Sequence, residues 1–514
     1  MSNKRINDKI FTKENSTLFI LLLVYSILQL KNINLDFWND EVYTLKNFVF
    51  VPFHKIITDY HVPNNHVFFS IITKFYLKII GINSLYDLMD RPWSLRLLML
   101  LISYFTILLT YLLSRNIYGK DIAFLCIVIL ITTIPYFNFC LQIRGYMLST
   151  FLYVSLLYSV WIYLKSKRIR NLFFIALITA LLIYTMPSNL YFTLSLLFVI
   201  CLCLLKELLS LIKGQTANTS DKIKAYANLI FSIISGIFLS FIFYIFIFQK
   251  VFYNVYVIGN GHTIMSKIIL LFTVTDYFIS GRYFFYALMA GGTILFLKQF
   301  REIKLWSPIF ILITLYIFPF ILSTIRGDGS PDRVYVILIP VFSLLIAVLF
   351  YRVLTPLIKR LSLNHILIFI MLIFCVITFC FEQNKIKRHI LSDIKTEGRS
   401  QNIYYNYYLE YYYPRKVIND FIEEGNKDKL IAIKDCEVHD FPCYLSKYGI
   451  SYVPSEKFDS LLNTGPAEVF VVTRYPNSLQ DNLIKKNYKH IMLFDDKKIS
   501  YNNFVKLIKN ASDE

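Results

Sequence analysis

The sequence predicts a polytopic α-helical membrane protein. It would have about eleven transmembrane helices, interfacial helices on the outer surface and a small C-terminal α/β domain. Three observations carry this reading. Hydrophobic residues make up 56% of the 514 positions and charged residues 17%, against about 25% charged in soluble domains. The apolar residues come in bilayer-length runs, such as 94–113, 142–163, 226–248 and 334–351. Short basic stretches separate many of the runs, as cytoplasmic loops do.

The run 17–30 follows Lys4, Arg5, Lys9 and Lys13. That order also suits a signal peptide, but no small-x-small cleavage site follows, so an uncleaved first span is expected. The strongest basic loops are 1–13, 165–170, 206–224, 298–304 and 352–360, and 114–120 is weaker. Placing all six in the cytoplasm leaves spans near 17–30, 94–113, 121–138, 146–164, 171–187, 189–205, 226–248, 283–297, 306–323, 334–351 and 365–380. The stretches 67–82 and 265–280 are shorter and carry Lys74, Lys78, Lys267 and Asp276. They are expected on the outer surface as interfacial helices.

This topology divides the chain into a transmembrane domain, 1–381, with a first outer loop at 31–93, and an extracytoplasmic domain, 382–514. Strand-like runs at 430–434, 469–473 and 491–494 alternate with helix-like runs at 415–424 and 479–487 in the tail, which reads as α/β. The net charge of +19 belongs largely to the short loops between spans, so topology accounts for it and a nucleic-acid partner is not expected. Six of the eight cysteines lie in or at the ends of apolar runs, and no zinc spacing occurs. Cys436 and Cys443 could pair if the tail lies outside the cell.

The densest polar cluster near a span lies in the first outer loop, as "LDFWNDEVYTL" at 35–45 and "DYHVPNNHVFF" at 59–69. Asp40 and Glu41 are adjacent carboxylates among Phe37, Trp38 and Tyr43. They suit either a general base at the membrane surface or a solvated acidic turn. His61 and His66 flank a Val-Pro-Asn-Asn turn. They could bind substrate, support the turn, or join Asp36, Asp40 and Glu41 around a divalent cation, although the spacing does not require a metal. Arg144 and Arg333 sit at span mouths, where an arginine either reaches lipid phosphate or clamps a substrate phosphate through its forked donors. Arg282 is a weaker case of the same kind, and His262 lies in the glycine-flanked "GNGHT". P-loop signatures are absent and interior charges are few, which argues against nucleotide-driven or ion-coupled transport.

The segments "WNDEVYT", "PNNHVFFSIITKFYLKIIG", "RPWSLRLLMLLISYFTILLTYLLSRNIYG", "QIRGYMLSTFLYVSLLYSVWIYL" and "DRVYVILIP" follow in order. Over residues 15–380 the chain resembles the bacterial GT-C glycosyltransferases of the dolichyl-phosphate-mannose–protein mannosyltransferase type, and their relatives that modify lipid A and cell-wall polymers. The resemblance implies a GT-C fold, a polyprenyl-monophosphate sugar donor, an outward active site in the cell membrane and inverting transfer to a glycan, lipid or protein. No cofactor is required by that chemistry. Asp40 matches the family's catalytic base and Glu41 the acidic residue after it. Pro63-Asn64-Asn65-His66 is a variant of the family's His-x-Pro-Pro segment without its second proline, which puts Asn65 and His66 among the substrate-binding candidates. Arg144 with Tyr146, and Arg333 with Tyr335, match the family's arginine-aromatic pairs, the second with one residue interposed. The alternatives are a transporter or flippase of lipid-linked sugars, or a polymerase or ligase using polyprenyl diphosphate.

Overall fold

The computed structural model describes residues 13–213, 219–252, 264–278, 308–326, 332–361, 377, 380, 414–434, 440–464, 466–473, 488–492 and 503–510. The chain divides into two units. The first is built from residues 1–31, 51–76 and 96–382, the second from 32–50, 77–95 and 383–514.

The first unit is helical because its apolar runs leave the backbone no partner but itself in lipid. Six helices among the described residues are long and apolar enough to cross a membrane: Pro92–Tyr118, Gly145–Ser166, Asn189–Ile212, Thr219–Phe243, Pro308–Ile325 and Arg333–Arg352. The expectation of about eleven spans is corrected by this count. Leu18–Leu30 and Ile169–Thr185 are apolar but fall in the 10–17-residue class. At about 1.5 Å per residue they reach at most about 26 Å, short of a hydrocarbon core of about 30 Å. The run at 121–138 is not one helix. Lys120–Thr132 ends at Thr133, whose backbone is extended (φ −69°, ψ 119°), and Ile134–Phe139 begins anew with Pro135 in its first turn. Pro135 lacks the N–H that a continuous helix would use, so it suits only the first turn of a new helix. The expected spans at 283–297 and 365–380 lie outside the described residues, apart from Ile377 and Cys380.

Close approach holds these helices together. Helix Thr219–Phe243 packs on Ile169–Thr185 at Gly236, where a Cβ would stand 2.4 Å from the Ala176 carbonyl oxygen. Ser232 donates to the Leu172 carbonyl at 2.6 Å in the same seam. Small residues let backbones meet where lipid gives helices no hydrophobic reason to associate. The opposite side of Thr219–Phe243 carries Phe231, 74% exposed, and Phe238, 66% exposed, a surface suited to acyl chains. Residues 53–67 are fastened to this bundle by a cluster of Ile56, Tyr60, Val67, Ile183, Tyr184, Tyr244, Ile247 and Val251. The interfacial candidates form helices Val67–Ile79 and Ile264–Phe278. In the first of them, Lys74 donates from Nζ to the Val51 carbonyl at 2.6 Å.

Among the described residues, the second unit contains a five-stranded mixed sheet. Its strands are β1 (Ile431–Lys434), β2 (Tyr452–Val453), β3 (Glu468–Thr473), β4 (Tyr488–Met492) and β5 (Asn503–Lys509), in the spatial order β2-β1-β3-β5-β4. β1 runs parallel to β2 and β3, while β5 is antiparallel to β3 and β4. Ala432, Val469, Val471, Val505 and Leu507 bury one core with Phe458, Leu462 and Tyr488.

Candidate active site

The candidate residues fall into two groups, one in each unit. In the first unit the group starts at the turn before helix Val67–Ile79. Asn65 is fully buried, and its amide nitrogen donates to the Ile56 and Asp59 carbonyls at 2.8 and 2.7 Å. Its amide oxygen accepts from Ser70 at 3.2 Å. This side chain shapes the turn that presents Asn64 and His66. His61 is exposed and pairs with the Asp59 carboxylate, Nδ1 to Oδ1 2.6 Å.

His66 is buried. Its Nδ1 accepts the backbone N–H of Gly145 at 2.7 Å, so the neutral ring carries its proton on Nε2. Burial first, then the positive charges of Arg144 and Arg333, hold His66 well below the ordinary imidazole range. Helix Gly145–Ser166, which begins at this contact, packs on the turn Asp332–Leu338 that carries Arg333. Arg144 is buried with an extended backbone just before helix Gly145–Ser166, and its Nη2 donates to the Asn64 amide oxygen at 3.1 Å. Its guanidinium lies 5.5 Å from the Tyr146 ring centre. Tyr146 in turn meets His66 edge-to-face at 5.3 Å. Arg333 is half-buried in the short 3-10 turn Asp332–Leu338. Tyr335, two residues on, is fully buried, stacked on Phe320 at 4.1 Å and bonded to Ser323 at 2.9 Å. Its contacts are those of a packing residue. Two cations around a neutral imidazole donor make a place suited to a phosphate.

Sequence reasoning missed two residues of this group. Gly145 has to be glycine, since a Cβ there would stand 2.6 Å from His66 Nδ1. Arg96 is wholly buried near the start of helix Pro92–Tyr118 and donates to the Leu141 carbonyl at 2.8 Å. It thereby anchors the loop that leads to Arg144. A guanidinium in the first turns of an apolar span was the available signal.

In the second unit Asp40 and Glu41 lie in the first turn of the short helix Asn39–Thr44. Glu41 is fully buried, and its carboxylate accepts the Trp38 backbone N–H at 3.2 Å, closing the helix start. Asp40 is half-buried, and its carbonyl accepts from the Thr44 hydroxyl at 2.7 Å. The two carboxylates thus differ in environment, Glu41 capping inside and Asp40 partly open. Asp36 is buried against Arg415. His262 and Arg282 lie outside the described residues. Among the described residues, no group of three or more His, Cys, Asp or Glu side chains is arranged to hold a metal ion. His61 is engaged by Asp59 and His66 by Gly145 instead.

No protein-family model matches the chain, and no curated protein does. Solved structures do match. ArnT from Cupriavidus metallidurans bound to undecaprenyl phosphate aligns with a TM-score of 0.51 at 10% identity, over 97% of this chain and 99% of that one. ArnT in the apo state gives 0.48 at 11% identity, over 96% and 98%. The Archaeoglobus fulgidus oligosaccharyltransferase complex with Zn and sulfate gives 0.46 at 13% identity, over 88% and 67%. At such identities the likeness is one of fold: the chain has a polytopic α-helical, GT-C-like architecture, similar to that of ArnT.

Proposed function

We propose that the protein is an inverting glycosyltransferase. It would move a sugar from a polyprenyl-monophosphate donor to a hydroxyl or amine on a cell-surface glycan, lipid or protein. The observation that carries this reading is Arg144 at the mouth of helix Gly145–Ser166, a helix that meets the buried His66 and packs on the turn that carries Arg333. A related fold bound to undecaprenyl phosphate supports the class of donor.

In the proposed reaction the acceptor oxygen or nitrogen attacks the sugar C1. The C1–O bond to the phosphate breaks, and the electron pair leaves with the polyprenyl phosphate. The Asp40 carboxylate takes the acceptor's proton. Arg144 and Arg333 meet the charge that develops on the leaving phosphate, a contribution of about 3–4 kcal/mol for one well-placed donor. Glu41 keeps the Asp40 turn in shape. The active site and the domain 382–514 face out of the cell.

The test compares lipid-linked sugars and surface polymers, by mass spectrometry, in cells with the protein, without it, and with Asp40→Asn. Loss of the protein should strip a sugar from a polymer while its polyprenyl-monophosphate carrier accumulates. Asp40→Asn should reproduce that state, with transfer slowed about 10²–10⁴-fold. A transporter or flippase needs no base, so wild-type sugar levels in Asp40→Asn cells would remove Asp40 as the base, and no accumulation of the carrier in cells without the protein would reject the enzyme reading.

A further inference from the structure

The acidic turn is held by groups that come from the far end of the chain. Arg415, in the first turn of helix Pro414–Glu423, engages Asp36 twice. Its backbone N–H donates to Oδ2 at 2.9 Å, and its Nε donates to Oδ1. The same guanidinium donates from Nη2 to the Asn34 carbonyl at 2.8 Å and from Nη1 to the Met89 carbonyl at 3.1 Å. One side chain thus ties together both pieces of the first outer loop that lie in this unit. Asp36 is 4% exposed, and a buried carboxylate needs such a partner. The next residue is held as well. Tyr444, fully buried on helix Asp440–Lys447, accepts the Phe37 N–H at 2.9 Å and donates toward the Phe37 carbonyl at 3.4 Å. Lys447 on the same helix pairs with Asp90.

Helix Asn39–Thr44 runs on as a π-helical stretch through Val49, and a helix shorter than about 12–15 residues does not hold itself together in water. Residues 34–38 lead into it, and the anchors named on that segment are Arg415 and Tyr444. We infer that the C-terminal domain is a positioning device for the acidic turn, in which Arg415 and Tyr444 set the place of Asp40. This rests on the reading of Asp40 as the base. Arg415 and Tyr444 are positioning residues and touch no substrate in it.

The experiment uses the full-length protein in detergent, as wild type, Arg415→Ala, Arg415→Lys, Tyr444→Phe and Asp40→Asn. The control is Glu468→Gln, which removes a tail ion pair to Lys506. Amide hydrogen exchange is followed in residues 35–45 and in helix Gly145–Ser166. Transfer kinetics use the polyprenyl-monophosphate sugar isolated from cells lacking the protein. Tyr444→Phe, which removes one hydroxyl, and Arg415→Ala should speed exchange at 35–45 by about 10-fold or more and leave Gly145–Ser166 unchanged. They should lower kcat by about 10–100-fold, the scale of a misplaced catalytic group, with the donor KM nearly constant. Arg415→Lys keeps the charge but not the fork and should recover part of both. Glu468→Gln should change neither. Unchanged exchange at 35–45, faster exchange with wild-type kcat, or the same loss in Glu468→Gln would each overturn the inference. Exchange needs no donor, so it judges the clamp separately. Wild-type transfer by Asp40→Asn removes the base reading, whatever the exchange shows.

Discussion

His66 shows how much one side chain's surroundings decide. Its Nδ1 is taken by the Gly145 N–H, and two guanidinium charges oppose a second proton. The folded ring therefore stays neutral at pH values where a free imidazole, with a pKa of about 6.5, titrates. The unfolded chain binds a proton below that value and the folded one does not, so stability is full above about pH 6.5 and falls as the pH drops. Thermal unfolding in detergent should shift to lower temperature between pH 7 and pH 5. His66→Gln, whose amide oxygen can still accept from Gly145, should flatten that slope. A slope unchanged in His66→Gln would mean that another group titrates. Asn65, one residue away, illustrates the contrary case. Its amide is consumed by the turn it sits in, and only the tertiary contacts distinguish it from a side chain available to a ligand.

Elements place these residues by meeting closely. The turn that carries His66 meets the start of helix Gly145–Ser166 at a glycine, with no room for a methyl group. Gly145→Ala would press its Cβ onto a buried imidazole and break the N–H···Nδ1 bond. A stability loss of about 1–3 kcal/mol is expected from such overpacking. Because Arg144 precedes this glycine, donor use should fall with it. Wild-type melting temperature and transfer in Gly145→Ala would show that the turn can retreat, and that the contact does not hold the arginine. The broken run at 121–138 belongs to the same scale. Its hydropathy is continuous, but its backbone is interrupted at Thr133–Pro135. A span count drawn from apolar runs therefore exceeds the number of helices long enough to cross among the described residues.

For the whole molecule, the basic loops predict a sidedness that labelling in intact cells can test. In a background without native cysteines, His61→Cys and Ser451→Cys should react with a membrane-impermeant thiol reagent, and Arg168→Cys should not. All three positions are exposed. Labelling at 168 with none at 61 would invert the orientation and place the proposed chemistry on the cytoplasmic face. Unit 2 gathers residues 32–50, 77–95 and 383–514, so the proposed base turn is built together with the C-terminal tail.

The sequence by itself determined the chemical class of the molecule. Lipid leaves a backbone no alternative to internal hydrogen bonds, so apolar runs become helices whatever surrounds them. The strand-like runs near 430–434 and 469–473 pair as β1 and β3 for a similarly local reason, their runs of apolar, β-favouring residues. The residue types at the span mouths were legible too: Arg144 precedes helix Gly145–Ser166, whose first residue meets His66, and that helix packs on the turn that carries Arg333. Only the tertiary structure decided where the helices stop and which polar side chains serve the fold, as Glu41, Asn65 and Tyr335 do. It also decided which distant groups meet. Asp36 and Arg415 stand 379 positions apart, and nothing in the local pattern of either pairs them. Helicity is settled among neighbours along the chain, whereas an ion pair of that span exists only once the intervening chain has folded.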